Sequence, residues 1–234
     1  MAAPQIAWPR WNNMSDPDDS GGVLASRGPR SSRDAAPPPR PELPGHGSQW
    51  LTVLQLPADQ AAPRLLGARL RSRDGVEIRI TEVEAYTVDD EASHAFRGPT
   101  ARNAPMFADP GHIYVYLSYG IHHCVNIVAH PAGSAGGVLL RAAEVVDGHS
   151  LARSRRPPGP DHRLASGPGR LGQVLGARLS DSGSDLFGTG LLQFCAPPVD
   201  MPAASIAQGS RIGISRATHR PWRWWVANDP SVSR

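Results

Sequence analysis

Lysine is absent from this sequence: all 24 basic residues are arginine. A Schiff base on a lysine amine is therefore excluded from its chemistry. Only the N-terminal amine could take that part, and it heads a stretch that reads as unstructured. No apolar run reaches the roughly 18 residues that would argue for a transmembrane helix. Residues 1–20 contain no apolar h-region, so no secretory leader is expected. Two cysteines, Cys124 and Cys195, make no disulfide framework, and no CxxC pair occurs. The expected setting is cytoplasmic. Aromatic residues are few, at 6%, so any clustering of them carries information.

What is present is uneven. Apolar residues make up 40%, enough for a packed core. Nine of the 24 prolines fall within residues 1–48, together with Ser, Asp and Gly and without apolar periodicity. That segment reads as a disordered Pro-rich tail, and residues 49–234 as one folded domain, with Trp50 at its start. Charge is graded along the chain. Residues 1–48 hold five Arg and five acids, residues 49–140 seven Arg and nine acids, residues 141–234 twelve Arg and seven acids. A basic final part fits a polyanionic partner, although the bias toward Arg over Lys is in itself a matter of genomic base composition.

The patterning predicts short strands with few helices. Asp59 to Leu70 reads as a helix ending near Gly67. An Asp-Gly turn at 74–75 leads into the alternating strand VEIRITEVEAY. Residues 87–112 read as loop. HIYVYLSYG, HHCVNIVAH and GVLLRAAEVV read as three further strands. The Arg- and Gly-rich segment RSRRPPGPDHRLASGPGRLGQVLG enters a helix at about Arg170, and SRIGISRATHRPWRWWVA reads as two strands joined by an Arg-rich turn. The fold class that follows is α+β: a single compact domain with a curved, mostly antiparallel sheet and flanking helices.

Two stretches carry candidate chemistry. In ITEVEAY, period two places Ile78, Ile80, Glu82, Glu84 and Tyr86 on one face. A carboxylate confined among apolar and aromatic groups is a candidate general base or acid; a solvated strand face is the plain alternative. Three of the four tyrosines, Tyr114, Tyr116 and Tyr119, lie within six residues, and the fourth is Tyr86. Tyrosine faces are stacking platforms for nucleobases, and they are also ordinary core. His94 and Asn126 add groups able to read a base edge. Metal chemistry finds no support: His122, His123 and Cys124 are neighbours on a strand and alternate faces, and no HExxH or PCxxC pattern is present. GPGRLGQ lacks the spacing and the Lys of a P-loop, but a Gly-rich loop entering a helix can still offer N–H groups to a phosphate.

TEVEAY, SHAFRGPTARNAPMF, PGHIYVYLSYGIHHCVNIV, GGVLLRAAEV, SGPGRLGQVLG and RIGISRATHRPWRW, in that order, resemble the mammalian-type alkylpurine (3-methyladenine) DNA glycosylase family from about Leu51 to Val226. The Pro-rich front end has no counterpart. The resemblance implies a base excision repair enzyme that flips alkylated or deaminated purines out of double-stranded DNA and hydrolyses the N-glycosidic bond. It implies a monofunctional, monomeric, nucleoid-associated protein with no metal, cofactor or membrane contact. It implies that Glu84 activates the attacking water and that Arg141 helps hold it. Tyr86, His94 and Tyr116 would sandwich the base, Asn126 would reject the guanine amino group, and Tyr119 would fill the vacated stack. Arg170 would contact a phosphate. A catalytically silent damaged-base binder on the same fold is the competing reading, and a hydrolase of free nucleosides a third.

Overall fold

The computed structural model describes residues 46–196 and 198–233. The segment read as a Pro-rich tail lies outside them, apart from residues 46–48. All described residues belong to one unit, Arg40–Arg234. The elements are α1 (Gly47–Leu54), α2 (Ala58–Ala61), β1 (Arg69–Ser72), β2 (Glu77–Thr87), β3 (Ile113–Ser118), β4 (His122–Val128), β5 (Gly136–Asp147), α3 (His149–Ser154), β6 (Ala165–Ser166), α4 (Pro168–Leu175), β7 (Leu192–Phe194), β8 (Ile206–Gly209) and β9 (Arg223–Val226).

The nine strands form one sheet in the order β3-β4-β5-β2-β1-β7. β6 extends β5, and β8 extends β9. Every pairing is antiparallel. This is the α+β, mostly antiparallel single domain expected from the sequence. β2 is the hub. One side pairs with β5 over its length, and the other is shared between β1 at residues 77–79 and β9 at residues 82–84.

Two local irregularities decide what β2 presents. Between Ile80 and Glu82 the β2 strand carries an extra residue, and between Glu82 and Val83 the extra residue is Arg141 on β5. A one-residue insertion reverses the alternation of side chains. Ile78 and Ile80 consequently share the main hydrophobic cluster with Val83 and Ala85. Glu82, Glu84 and Tyr86 face the opposite side. The expectation that Ile78 and Ile80 flank Glu84 on one face is therefore overturned, because strict period two does not survive the bulge.

The main core face also takes Val115, Val125, Ile127 and Leu140 from the sheet, with Leu171, Val174 and Leu175 of α4 lying over it. Trp50 of α1 is fully buried, stacks on Phe194 at 4.1 Å between ring centroids, and donates its indole N–H to Ala196 O at 2.6 Å. The other face carries a smaller cluster of Ala95, Met106, Tyr114, Val128 and Ala135, with Tyr116 and Phe107 against it.

Two segments differ from their expected form. The helix expected over 59–70 is the short α2 followed by a 3-10 turn, Ala62–Leu65. Pro63 removes a helical N–H there, and Arg69–Ser72 is recruited to the sheet between β2 and β7. Of the two strands expected in 210–227, β9 forms, but its partner β8 lies upstream at 206–209. Gly213 and Ala217 adopt left-handed φ values of 78° and 48°, which break an extended run.

Gly172 accounts for how α4 seats on the sheet. A Cβ at this position would stand 1.9 Å from His123 O. The glycine is thus explained by close helix–strand approach. Gly172→Ala should force α4 off β4 and destabilise the fold by about 1–3 kcal/mol or more. Chemical denaturation checks this, and an unchanged midpoint would show that α4 can shift freely.

Candidate active site

The β2 bulge delivers Glu82 and Glu84 side by side, both with no exposure. Glu84 is held by two hydrogen bonds and an ion pair. Its Oε1 accepts from Ile212 N at 2.9 Å and lies 3.2 Å from Arg141 Nη1, and its Oε2 accepts from the Tyr86 hydroxyl at 2.8 Å. Burial, then the Glu84 charge, pushes the Tyr86 phenol well above its ordinary value, so it stays a donor. Glu82 Oε1 accepts from Arg223 Nε at 2.5 Å and lies 3.1 Å from Arg141 Nε in an ion pair, and Oε2 accepts from Ser233 N at 2.7 Å. Two carboxylates face two guanidinium groups, so the cluster is charge-balanced.

Strand register carries the site sideways. Glu84 pairs with Leu139, Leu139 with Asn126 and Asn126 with Tyr114, a row across four strands about 4.8 Å apart. Asn126 is buried and donates its amide to Tyr114 O at 3.1 Å. Tyr114 and Tyr116 stack at 5.7 Å. His94 meets the Tyr116 ring edge-on at 4.7 Å and shares a 2.9 Å hydrogen bond with the Tyr114 hydroxyl. One side of His94 remains open to solvent. Partial burial, then the Arg102 charge, lowers its proton affinity, so a neutral imidazole stands in the wall at pH 7. Burial is also the chief reason the Tyr116 phenol is raised, with a smaller contribution from the Glu84 charge.

Asn103 fixes the loop that bears His94. Its amide donates to His94 O at 2.6 Å and Gly98 O at 3.1 Å, while its carbonyl accepts from Thr100.

Tyr119 lies elsewhere in role. It opens the three-residue loop between β3 and β4, is 88% exposed and has φ 50°. The core reading of Tyr119 is thus excluded. Ile121 beside it is 68% exposed. Arg170 stands exposed in the first turn of α4, on the core-face layer, and does not join the Glu84 cluster. His122 and His123 likewise gather no ligand set; among the described residues no group of three metal-ligating side chains forms. No helix among them is long and apolar enough to cross a membrane.

Sequence reasoning missed Arg211 and Asp90. Both side chains are fully buried and form a two-pronged ion pair. Arg211 also donates to Ala85 O at 2.8 Å and lies 4.7 Å from the Tyr86 ring centroid. The next residue, Ile212, supplies the N–H to Glu84. The signal was present in RIGIS, but its acidic partner is 121 residues away. Arg223 and Ser233 were missed for the same reason, as partners of Glu82 from 141 and 151 residues away.

A buried carboxylate with two hydrogen-bond donors and a paired arginine, next to an aromatic wall and on the same sheet as an exposed tyrosine hairpin tip, suits proton transfer beside a flat ring. Comparison with known proteins identifies the class. The methylpurine-DNA glycosylase family profile matches residues 52–230, and the chain belongs to that family. It is 52% identical over 186 residues to a protein of Cutibacterium acnes, covering 77% of this chain and 96% of the relative. It is 54% identical over 179 residues to one of Corynebacterium glutamicum (76% and 92%), and 51% over 183 to one of Nocardia farcinica (74% and 84%). Each of these relatives is named "Putative 3-methyladenine DNA glycosylase".

Removing one member of the buried Asp90–Arg211 pair leaves an unmatched charge. Asp90→Ala should cost about 3–5 kcal/mol of folding stability. Urea unfolding measures this directly, and a loss below about 1 kcal/mol, within the range of ordinary surface changes, would show that water reaches the pair.

Proposed function

We infer that this DNA glycosylase removes alkylated purines, 3-methyladenine among them, by hydrolysis with a Glu84-activated water. The observation that carries the reading is Glu84 itself, fully buried yet held as a hydrogen-bond acceptor at the foot of the tyrosine wall. Reaching a glycosidic bond in a duplex requires extruding the nucleotide, at a cost of a few kcal/mol. Tyr119, exposed at the hairpin tip, fills the vacated stack. Tyr86, His94 and Tyr116 receive the purine, and the buried Asn126 reads against an amino group at C2. Arg170 contacts the DNA backbone.

Alkylation at N3 leaves the base cationic, which favours stacking on electron-rich rings and makes it a good leaving group. As the C1′–N bond breaks, its electron pair passes to the purine. Water attacks C1′ of the oxocarbenium-like sugar, Glu84 takes the water proton, and Arg141 orients both. The products are a free purine and an abasic site. With no lysine in the chain, no side-chain amine competes for C1′, so the strand stays intact. A silent binder has no use for a buried carboxylate opposite an anionic polymer, which disfavours the competing reading.

The direct test incubates the protein with methylated duplex DNA and identifies released bases by mass spectrometry. Glu84→Gln should still bind damaged duplex while base release falls by about 10²–10⁴-fold, as for loss of a general base. Near-parent turnover would remove Glu84 from the mechanism. Tyr119→Ala should change folding stability by no more than about 0.5 kcal/mol, since the side chain is exposed. It should slow excision from duplex far more than from single strands, where little stacking is broken. Equal slowing on both substrates would refute the wedge.

A further inference from the structure

The family match ends at residue 230, yet residues 231–233 are packed into the back of the Glu82–Glu84 cluster. Ser231 Oγ shares a 2.8 Å hydrogen bond with Thr81 Oγ1, the residue in the β2 bulge. Val232 O accepts from Ser166 Oγ at 3.3 Å. Ser233 makes three contacts. Its N–H donates to Glu82 Oε2 at 2.7 Å, its Oγ accepts from Arg141 Nε at 3.1 Å, and its carbonyl accepts from Arg223 Nη2 at 3.4 Å. Ser231 and Ser233 are both buried.

We propose that residues 231–233 form a strap whose Ser233 is a positioning residue for excision: it divides Arg141 between two competing carboxylates. Arg141 reaches Glu82 through Nε and Glu84 through Nη1. Glu82 is an equal rival, since it lies as close and is equally buried. The Ser233 N–H satisfies one Glu82 oxygen, and the Ser233 hydroxyl takes part of the Arg141 Nε donor. Both contacts weaken the pull of Glu82 and leave Nη1 on Glu84. Without the strap, water enters behind Glu82, the Glu82 carboxylate turns, and Arg141 follows it. Glu84 keeps its Tyr86 and Ile212 donors but loses the cation that faces the water site. Ser233 is buried behind the carboxylates, so substrate affinity should be unaffected by its loss.

This inference rests on the roles of Glu84 and Arg141 proposed for excision, and three variants measured together separate the two. Single-turnover excision, Kd for damaged duplex and Tm are recorded for a chain ended at Pro230, for Ser233→Ala and for Ser233→Thr, with Glu84→Gln alongside. The shortened chain should lose about 10- to 100-fold in rate at unchanged Kd, the range expected when a reacting group is displaced by about 1 Å. Ser233→Ala, which keeps the backbone contacts, should lose about 2- to 10-fold, the equivalent of one hydrogen bond, with little change in Tm. Ser233→Thr, which keeps the hydroxyl, should recover the parent rate. If Glu84→Gln is inactive while the shortened chain and Ser233→Ala excise at the parent rate per folded molecule, the strap is packing alone and the proposal falls. It falls equally if Ser233→Thr is as slow as Ser233→Ala. If Glu84→Gln retains turnover, the underlying role of Glu84 fails instead.

Discussion

Glu82 and Glu84 lie two residues apart on β2 with no exposure. Two like charges in the interior are tolerated only when each is matched and each oxygen is hydrogen-bonded. Arg141 spans both carboxylates, Arg223 arrives from β9, and backbone N–H groups come from Ile212 and Ser233. Four separate segments therefore converge because the two carboxylates demand it. The convergence ties the irregular final part of the chain to the centre of the sheet. An unmatched charge here would disorganise the fold and the site together.

The bulge between β2 and β5 makes this arrangement compatible with a hydrophobic core. Along a regular strand, Glu82 and Glu84 would share a face with Ile78 and Ile80, and charge would be forced into the main core. The inserted residues reverse the phase, so that Ile78, Ile80, Val83 and Ala85 all pack inward. The face carrying the carboxylates is then completed by tyrosines, whose rings are apolar and whose hydroxyls donate. Tyr86 shows the division of labour: its ring lies against Arg211 and its hydroxyl against Glu84. The cluster is thus held in place by groups that are themselves buried and paired.

The hairpin tip obeys a different rule. Tyr119 and Ile121 face solvent, and Tyr119 adopts a left-handed backbone conformation unusual for a non-glycine residue. Such a conformation costs on the order of 1–3 kcal/mol and persists where the surroundings hold it. The β3–β4 ladder does so, with Ser118 paired to His122 immediately beneath the turn.

Local pattern was enough to read much of this protein. Alternation in VEIRITEVEAY marked one strand, HIYVYLSYG and GVLLRAAEVV read as others, and the Tyr-Gly step marked the hairpin tip. The order of the motifs carried the family, and with it Glu84, Tyr86, His94, Tyr116 and Asn126 as site candidates. The strands and the turn are legible because they depend on near neighbours and on period two, whereas the roles of the site candidates came only with the resemblance. Which face Glu84 occupies was not legible, since one inserted residue inverts the alternation without altering composition. Nor were the partners Asp90–Arg211 and Glu82–Ser233, 121 and 151 residues apart. A buried charge is satisfied by whatever donor the fold brings to it, and nothing in the neighbouring sequence specifies that donor. The sequence by itself determined the long strands β2, β3, β4 and β5 and the chemical identity of the groups. Only the tertiary structure decided which carboxylate is clamped, by which arginine, and from which side.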